Sequence, residues 1–493
     1  MIEEVKDPEK RIDRPVFYLP HHAVFKQKSV YTKCRIVFDA SSNDVGQLLL
    51  NDCLWSGINL NPHIFQLLIY FRINKIAMLS DIERAFLQIS LNEFDRDVVR
   101  FLFVKHDPNK NDNVEVVVYR FLRLTFGINV SPFLLSATIK EHIKKYEEAY
   151  PVTTKVLNTC FYVDDLVTGA DSINDALKIS IEANNIMKKA SMNLRKWISN
   201  DKVLMKMWEE REFNILPSDF VNNCNEPCKV LELPWDIKED TFAIEVKDLL
   251  EFIKTGKNTK RFVLQVAGRI FDPLGFVTHT PSELSACFKN YGFEKFSGTN
   301  VLDCAELSSC DIAYVIAGVW HTFSDASPKA YGAVVFVLIR SDDKVIMNFL
   351  TSKSRVTPLK KITLPRMELL GALLAARLAN EVANVLKRKI SPPMYFWTDS
   401  QIALYWIRGS ALKWKTFVCN RVKEIQELTD PDKWFIYNCK NPKSKKIGPL
   451  SIDESANAEN WLIRSLQEAA VPAFDYVVSS STIGIEMIPY RAA

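Results

Sequence analysis

The chain has 493 residues, of which 47% are hydrophobic and 25% are charged, and its formal net charge is +4. This length fits roughly two to four domains with buried cores, and the small net charge means that a nucleic-acid-binding surface would need a local concentration of Lys and Arg. The charged N-terminal stretch 1–7 excludes a secretory signal there, and the lack of an uninterrupted run of about 18 apolar residues excludes an obvious membrane span.

Short apolar strands alternate with amphipathic helices over the first 190 residues. The spacing of apolar residues predicts helices over 62–71, 131–146 and 173–190, and a strand over 114–121. Pro132 suits the first turn of the second helix, where a missing N–H does no harm.

Two adjacent carboxylates, Asp164 and Asp165, interrupt an apolar stretch that is typical of a β-hairpin. Turn chemistry alone explains an Asp pair at a hairpin tip. A further carboxylate, Asp81, lies upstream where a predicted strand runs into a predicted helix. Three carboxylates held on strand ends can bind two Mg²⁺ ions, which clamp the attacking and leaving oxygens of a phosphoryl transfer.

A second set of carboxylates follows a different order of elements. Residues 319–407 predict a strand, a hairpin over 331–339 and 344–351, a helix from 365 to about 388, a strand over 394–398 and a helix over 400–407. Asp325 lies near the end of the first strand, Glu368 in the first predicted helical turn, and Asp399 at the end of the last strand. Favourable charge at a helix N-terminus would by itself explain Glu368.

Several motifs in a fixed order carry a resemblance to a known family. They are Lys33–Ser41, Asp81–Phe86, Phe126–Phe133, Tyr162–Asp165 and Asn193–Trp197. Together with the second set of carboxylates, they resemble the reverse transcriptase and ribonuclease H region of Pao-type (Bel–Pao) long-terminal-repeat retrotransposon polyproteins, over about 12–285 and 319–442. The resemblance implies an α+β right-hand polymerase with fingers, palm and thumb, followed by a partial ribonuclease H-like α/β domain.

The sequence departs from the family pattern in two places. Residues 279–318 match nothing recognisable, and Ser444 stands between lysines where the family has the fourth ribonuclease H carboxylate. We therefore expect five regions: fingers and palm (1–190), thumb and connection (191–285), a truncated junction (286–318), an incomplete ribonuclease H-like domain (319–442) and a remnant of the segment preceding integrase (443–493).

The resemblance implies a role for each motif. Asp81, Asp164 and Asp165 would bind two Mg²⁺ ions at the polymerase site, whereas Asp325, Glu368 and Asp399 would bind one at the ribonuclease H-like site. The implied nucleotide-binding residues are Lys33 and Arg35 at the triphosphate, Phe86 under the sugar, and Phe126 with Gly127 beside the template and nucleotide. An ordinary core aromatic is the alternative interpretation of Phe86.

The implied partners are an RNA template, a DNA primer, an RNA–DNA hybrid and deoxynucleoside triphosphates, with no membrane. We expect the protease and integrase of such a polyprotein to lie outside this chain. The 10 cysteines form no disulfide framework, which favours reduced thiols. The expected location is intracellular, in cytoplasmic retroelement particles or in the nucleus.

Three functional hypotheses follow from the sequence. The first is an RNA-directed DNA polymerase with a degenerate ribonuclease H domain. The second is an inactive nucleic-acid-binding remnant of a degraded element or of a mis-spliced gene, which Ser444 and the short junction favour. The third, an aspartic peptidase, is disfavoured because the chain has no Asp-Ser/Thr-Gly motif.

Overall fold

The computed structural model describes residues 1–8, 15–25, 34–42, 46, 48–105, 115–217, 228–243, 249, 252, 262, 265–266, 269–275, 319–328, 330–341, 344–358, 362–386 and 393–436. These residues form two compact units. The first unit is drawn from 1–63 and 76–222, and the second from 64–75 and 223–493.

The helices and strands are numbered here in chain order. The α-helices are α1 Leu50–Cys53, α2 Ile64–Arg72, α3 Ser131–Lys144, α4 Pro151–Cys160, α5 Ile173–Lys188, α6 Lys202–Glu209, α7 Leu364–Leu386, α8 Gln401–Arg408 and α9 Thr416–Leu428. The 3₁₀ helices are Ala85–Gln88, Glu93–Val99, Ala411–Lys413 and Pro431–Lys433. The strands of the first unit are β1 Ile2–Glu4, β2 His21–Phe25, β3 Cys34–Phe38, β4 Ile76–Ile82, β5 Arg100–Val104, β6 Val116–Phe121, β7 Phe161–Tyr162, β8 Asp165–Ala170 and β9 Leu194–Ser199. The strands of the second unit are β10 Cys228–Val230, β11 Leu233–Asp236, β12 Thr241–Phe242, β13 Val319–Ala326, β14 Ala330–Ser341, β15 Lys344–Val356, β16 Met394–Thr398 and β17 Trp434–Ile436.

A four-stranded antiparallel sheet forms the centre of the first unit, in the order β7-β8-β4-β9. Strand β4 is a short apolar run, and it is buried along almost its whole length, as such a run predicts. Helices α4 and α5 pack against β8. The side chain of Ser172 accepts a hydrogen bond from the Asp175 N–H and so caps the start of α5.

A second sheet of the first unit, in the order β1-β6-β5, contributes two arginines to an ion-pair network, Arg100 on β5 and Arg120 on β6. The Asp97 side chain is fully buried and pairs with Arg100 at 2.7 Å and with Arg120 at 3.1 Å. Burial opposes ionisation of Asp97, but hydrogen bonds and charges from the two arginines outweigh it and hold the pKa of this carboxyl below its usual value. The network therefore keeps a buried carboxylate charged.

The second unit contains a five-stranded sheet in the order β15-β14-β13-β16-β17. Strands β13, β14 and β15 are antiparallel, whereas β16 and β17 run parallel to β13. Helix α7 packs on β13 and β14 and against α9. Stacked aromatic rings, such as Phe396 on Trp434 at 4.8 Å between centroids, fill the core under β16 and β17.

Helix α7 is long and apolar enough, by length and composition, to cross a membrane. Its apolar window has a mean hydropathy of 1.4, but 72% of that window is buried inside the protein. A helix with a broad apolar surface is the expected core element of a large sheet-and-helix domain, and this burial accounts for its composition.

Most predicted elements are confirmed, with shifts of one or two residues at their ends, although β15 extends five residues beyond its predicted end, to Val356. The expectation that Glu368 lies in the first turn of its helix is wrong, because α7 begins at Leu364 and carries no acidic residue in its first turn. Pro365 is thus the second helical residue, and the N–H groups of Arg366 and Met367 donate to the Thr363 carbonyl. Glu368 begins the second turn, so charge at the helix N-terminus no longer explains it.

Candidate active site

The hairpin of β7 and β8 carries the paired carboxylates at its tip. Tyr162 pairs with Asp165, so Val163 and Asp164 form a two-residue turn between the strands. Val163 has a φ of 57°, in the left-handed region, which is unusual for a β-branched residue. The Val163 N–H donates to the side-chain oxygen of Asn61 at 3.2 Å. The surrounding structure therefore fixes this turn from outside the hairpin.

The register of β4 and β8 brings the third carboxylate to the same place. Asp81 lies directly opposite Asp165, and residues opposite each other in antiparallel strands have Cβ atoms about 4.5–5.5 Å apart. The Ile82 N–H also donates to the Asp164 carbonyl at 2.9 Å. The structure thus gathers Asp81, Asp164 and Asp165 at one end of the sheet.

The Asp81 carboxylate is paired with two cations of β9. It accepts hydrogen bonds from Arg195 Nε at 2.9 Å and from Lys196 Nζ at 2.6 Å. Neighbouring residues of a strand normally point to opposite faces. Both cations reach Asp81 because Lys196 has a φ of 53° and the pairing of β4 with β9 shifts register between Leu79 and Asp81.

Asp164 is the carboxylate whose pKa is raised. Burial is the main cause, and the negative charge of Asp81 adds to it, while Lys196 and Arg195 act in the opposite direction. A carboxyl in this situation is stabilised in its charged form by any cation that approaches it.

The donor set at the hairpin fits a hard divalent cation by its chemistry, since carboxylate oxygens are the ligands that Mg²⁺ prefers. Within the described residues, no group of three or more His, Cys, Asp and Glu side chains is already arranged around a common metal position. Asp81 faces Arg195 and Lys196 in this arrangement.

Three of the residues predicted to contact the nucleotide, Phe86, Phe126 and Gly127, are well defined in the structure. Phe86 is buried, with 4% of its surface exposed, and its ring packs edge-on against Phe126 at 4.6 Å between centroids. Phe126 is 58% exposed, so this pair connects the core to the surface. Gly127 has a φ of 90°, and a Cβ there would lie 2.2 Å from the Phe38 carbonyl oxygen, so only glycine fits.

The basic residues predicted at the triphosphate are less well defined. Arg35 lies exposed on β3, opposite Val24 of β2. Lys33 lies outside the described residues. Both remain predictions.

Two polar residues near these loops were missed in the sequence. Asn51 donates from its side chain to the Gly127 carbonyl at 3.1 Å and accepts from the Asn129 N–H at 2.9 Å. Asn61 contacts the hairpin turn as described above. Each is a single Asn in a loop or short helix, and no local pattern distinguishes it from a solvent-exposed Asn.

The second set of carboxylates gathers at the carboxyl ends of parallel strands. Ser324 of β13 is in register with Thr398 of β16. Asp325 and Asp399 directly follow these two residues and therefore reach the same edge of the sheet. Helix α7 meets this edge at Gly371, where a Cβ would lie 3.1 Å from the Asp325 carbonyl oxygen. Glu368 lies three residues before Gly371 and therefore on the same side of the helix.

Several expected features of this second site lie outside the described residues. These are Ser444 with its neighbouring lysines, the junction over 286–318 and the segment over 443–493. Asp325, Glu368 and Asp399 are thus the part of the predicted site that the structure places.

Two family models match the chain. One, described as reverse transcriptase (RNA-dependent DNA polymerase), matches residues 71–216. The other, described as Pao retrotransposon-like RNaseH-like domain, matches residues 318–400. No curated protein sequence matches the chain.

Solved structures of foamy virus enzymes resemble the chain. The protease-reverse transcriptase dRH in complex with ds DNA aligns with a TM-score of 0.51 and 14% identity, over 91% of this chain and 68% of that one. The protease-reverse transcriptase in complex with RNA/DNA hybrid aligns with a TM-score of 0.47 and 14% identity, over 90% of this chain and 53% of that one. At 14% identity, the similarity to the first of these structures shows a shared fold.

The two family matches follow the order of the two sheets, with the hairpin carboxylates in the first match and Asp325, Glu368 and Asp399 in the second. The fold agrees with both, since it combines an antiparallel sheet bearing the Tyr-Val-Asp-Asp turn with a five-stranded mixed sheet. Residues 71–216 therefore form a reverse transcriptase (RNA-dependent DNA polymerase) domain, and residues 318–400 form a Pao retrotransposon-like RNaseH-like domain.

Proposed function

We propose that this polymerase works by two-metal nucleotidyl transfer, with Asp81, Asp164 and Asp165 as its catalytic carboxylates. The register of β4 and β8, in which Asp81 lies opposite Asp165, is the observation that carries this proposal. The hydrogen bond from Ile82 N–H to the Asp164 carbonyl holds the turn against β4. Backbone geometry therefore fixes all three positions on a buried sheet.

Mg²⁺ is the metal that the three carboxylates would hold, because they offer hard oxygen ligands. Ions held there would supply positive charge at the primer 3′ oxygen and at the triphosphate. The raised pKa of Asp164 agrees with this role. Burial raises this pKa by disfavouring the charged carboxylate, and a bound cation would stabilise the charged form again.

Arg195 and Lys196 provide the positive charge of the site. They hold the Asp81 carboxylate at 2.9 Å and 2.6 Å, and so reduce the repulsion between Asp81 and the other two carboxylates. A triphosphate brings several negative charges to the same end of the sheet, and both side chains are close enough to Asp81 to stabilise them.

The remaining contacts with substrate are assigned by the positions of the motifs. Lys33 and Arg35 would bind the triphosphate, and Phe126 with Gly127 would line the site of template and nucleotide. Phe86 would pack under the sugar and exclude a 2′-hydroxyl. Its contact with the exposed ring of Phe126 supports this assignment, because it places Phe86 next to the surface of the site.

The proposed partners are an RNA template, a DNA primer, an RNA–DNA hybrid and deoxynucleoside triphosphates. The foamy virus enzyme of similar fold was solved in complex with ds DNA, which agrees with a duplex as a partner. We place the protein in cytoplasmic retroelement particles or in the nucleus, together with the protease and integrase of the same polyprotein.

The ribonuclease H-like domain is proposed to be degenerate. Asp325, Glu368 and Asp399 would supply ligands for one metal ion, whereas a second ion normally needs a further carboxylate. Ser444 is uncharged, and Lys443, Lys445 and Lys446 would repel a divalent cation at that position.

A primer-extension assay tests the polymerase proposal. The purified protein should extend a DNA primer on an RNA template with Mg²⁺, and Asp164→Asn should reduce extension by about two orders of magnitude or more, the scale of losing a key electrostatic group. Asp95→Asn is the matched control, because Asp95 is an exposed carboxylate of the same unit.

The alternative, an inactive nucleic-acid-binding remnant, predicts a different result. A folded protein that binds the primer–template duplex but extends nothing with Mg²⁺ or Mn²⁺ would support the remnant and overturn the polymerase proposal. Extension that Asp164→Asn leaves unchanged would instead place the catalytic carboxylates elsewhere.

A further inference from the structure

The side-chain oxygen of Asn61 accepts two hydrogen bonds from different parts of the first unit. The Val163 N–H in the hairpin turn donates to it at 3.2 Å, and the hydroxyl of Ser136 on α3 donates to it at 2.8 Å. A backbone N–H can only donate, so the carboxamide must present its oxygen to Val163. One oxygen thus ties together a loop, a helix and the catalytic hairpin.

The turn needs such an outside support because of the residue it contains. Val163 adopts a φ of 57°, and a β-branched side chain in the left-handed region clashes with its own backbone. Conformations of this kind persist where neighbouring groups hold them. Asp164 follows Val163 directly, so the same turn sets the position of both hairpin carboxylates.

Asn61 is itself well fixed. Its N–H donates to the side chain of Asn59 at 3.0 Å, which forms a local turn. Pro62 follows it and restricts its backbone to extended conformations. Its second donor, Ser136, is only 6% exposed and lies on α3. The acceptor oxygen is therefore held by contacts that lie outside the hairpin.

We infer that Asn61 is a positioning residue for polymerisation, which holds the strained Val163–Asp164 turn so that Asp164 and Asp165 face Asp81. This inference rests on the proposed role of the three carboxylates. Asn61 acts through the turn and needs no contact with substrate or metal. Its loss should leave duplex binding intact and reduce the rate of the chemical step.

The first experiment measures the turn without using activity. Hydrogen exchange of peptides covering the hairpin should be about fivefold to tenfold faster in Asn61→Ala than in the unmutated protein, the effect of losing one hydrogen bond. Asn61→Asp keeps an acceptor oxygen at the same place and should keep the slow exchange. Asn92→Ala is the matched control, because it removes another Asn side chain that accepts a backbone N–H, that of Phe94.

The second experiment measures the chemistry. Asn61→Ala should lower kcat for primer extension by about 10- to 100-fold, the scale of a small misplacement of reacting groups, with the Kd for primer–template unchanged. Val163→Gly relieves the strain of the turn. In the Val163→Gly background, Asn61→Ala should therefore cost several-fold less kcat than in the background with Val163.

Each outcome decides the inference. Unchanged exchange in Asn61→Ala, or equal losses of kcat in the two backgrounds, would overturn it. Should Asn61→Ala fail to fold, Ser136→Ala removes the other donor and should give faster hairpin exchange in a folded protein; no change there would also overturn it. If the unmutated protein extends no primer, the proposed function fails, while the exchange experiment still decides whether Asn61 holds the turn.

Discussion

The two sheets of this protein gather their carboxylates in different ways. In the first unit, antiparallel register places Asp81 opposite Asp165, and a tight turn supplies Asp164 beside them. In the second unit, parallel register brings Asp325 and Asp399 to the same edge of the sheet, and helix α7 brings Glu368 to that edge. The first set of carboxylates thus depends on a hairpin and its support, whereas the second set depends on three separate elements.

The two units also hold their buried ionisable groups differently. The first keeps Asp97 charged, because Arg100 and Arg120 both form ion pairs with its carboxylate. The second keeps His321 neutral: its Nδ1 accepts a hydrogen bond from Trp397 Nε1 at 2.9 Å, and burial lowers its pKa to about 4. Removal of the Asp97 charge should therefore destabilise the first unit. Protonation of His321, which adds a charge, should destabilise the second.

The largest expected effect concerns the paired charge of the first unit. Asp97→Ala should lower the free energy of unfolding by about 3–5 kcal/mol, because it leaves Arg100 buried without its carboxylate partner. Urea denaturation at neutral pH measures this loss. Asp95→Ala, which removes an exposed carboxylate nearby, should change stability little. A loss below about 1 kcal/mol for Asp97→Ala would mean that water reaches the arginines.

The next effect concerns the neutral imidazole of the second unit. The folded pKa of His321 is about 4, below the value of about 6.5 expected in the unfolded chain. Its contribution to stability is therefore complete above pH 6.5 and is lost as the pH falls toward 4. Between pH 8 and pH 5, this one group should reduce the free energy of unfolding by about 2 kcal/mol.

Denaturation followed by proteolytic mapping at several pH values tests this prediction. Fragments from residues 319–436 should become accessible first as the pH falls. His321→Leu should remove the dependence on pH between 8 and 5, whereas replacement of the exposed His22 by Leu should leave it in place. Loss of stability in the first unit over the same pH range would contradict the contrast between the units.

A third prediction compares the two activities directly. In one preparation, cleavage of an RNA–DNA hybrid should be about 100-fold or more slower than primer extension, if Ser444 stands where the resemblance places the fourth carboxylate, as proposed above. The comparison requires gel assays of both reactions on the same duplex. Hybrid cleavage as fast as extension, and abolished by Asp399→Asn, would show that another acid, such as Asp453, supplies the missing ligand.

Local patterns in the sequence were enough to predict the strands and the hairpin of both sites. The apolar run before Asp81 predicts β4, and the apolar residues on both sides of Asp164 and Asp165 predict the hairpin of β7 and β8. The hydrophobic spacing from Met367 onward predicts α7. These elements depend on the spacing of apolar residues within one segment, and this spacing can be read from a single sequence.

Contacts between distant segments were not predictable in this way. Asn61 meets Val163, and Asn51 meets Gly127, across long stretches of chain. The pairing of Lys196 with Asp81 depends on a left-handed backbone at Lys196, for which the sequence offers no glycine as a signal. The start of α7 was misplaced by one residue, because Pro365 is equally suited to the first or the second helical position.

The smallest expected effect tests whether Phe86 contacts the sugar of the incoming nucleotide. If this ring packs under the sugar, Phe86→Ala opens space for a 2′-hydroxyl and should raise ribonucleotide incorporation relative to deoxyribonucleotide by about tenfold, the discrimination available from steric and apolar contacts of this size. Total activity should fall as well, because the mutation removes a ring that is 4% exposed and packs on Phe126. Single-nucleotide insertion kinetics with matched ribo- and deoxyribonucleotides measure the ratio.

Phe126→Ala serves as the control, since it removes the partner ring and leaves Phe86 in place. The same gain in ribonucleotide incorporation in Phe126→Ala would show that the two rings act by shaping the loop. Unchanged selectivity in an active Phe86→Ala enzyme would make Phe86 an ordinary core aromatic, and the polymerase site would then owe its sugar preference to another residue.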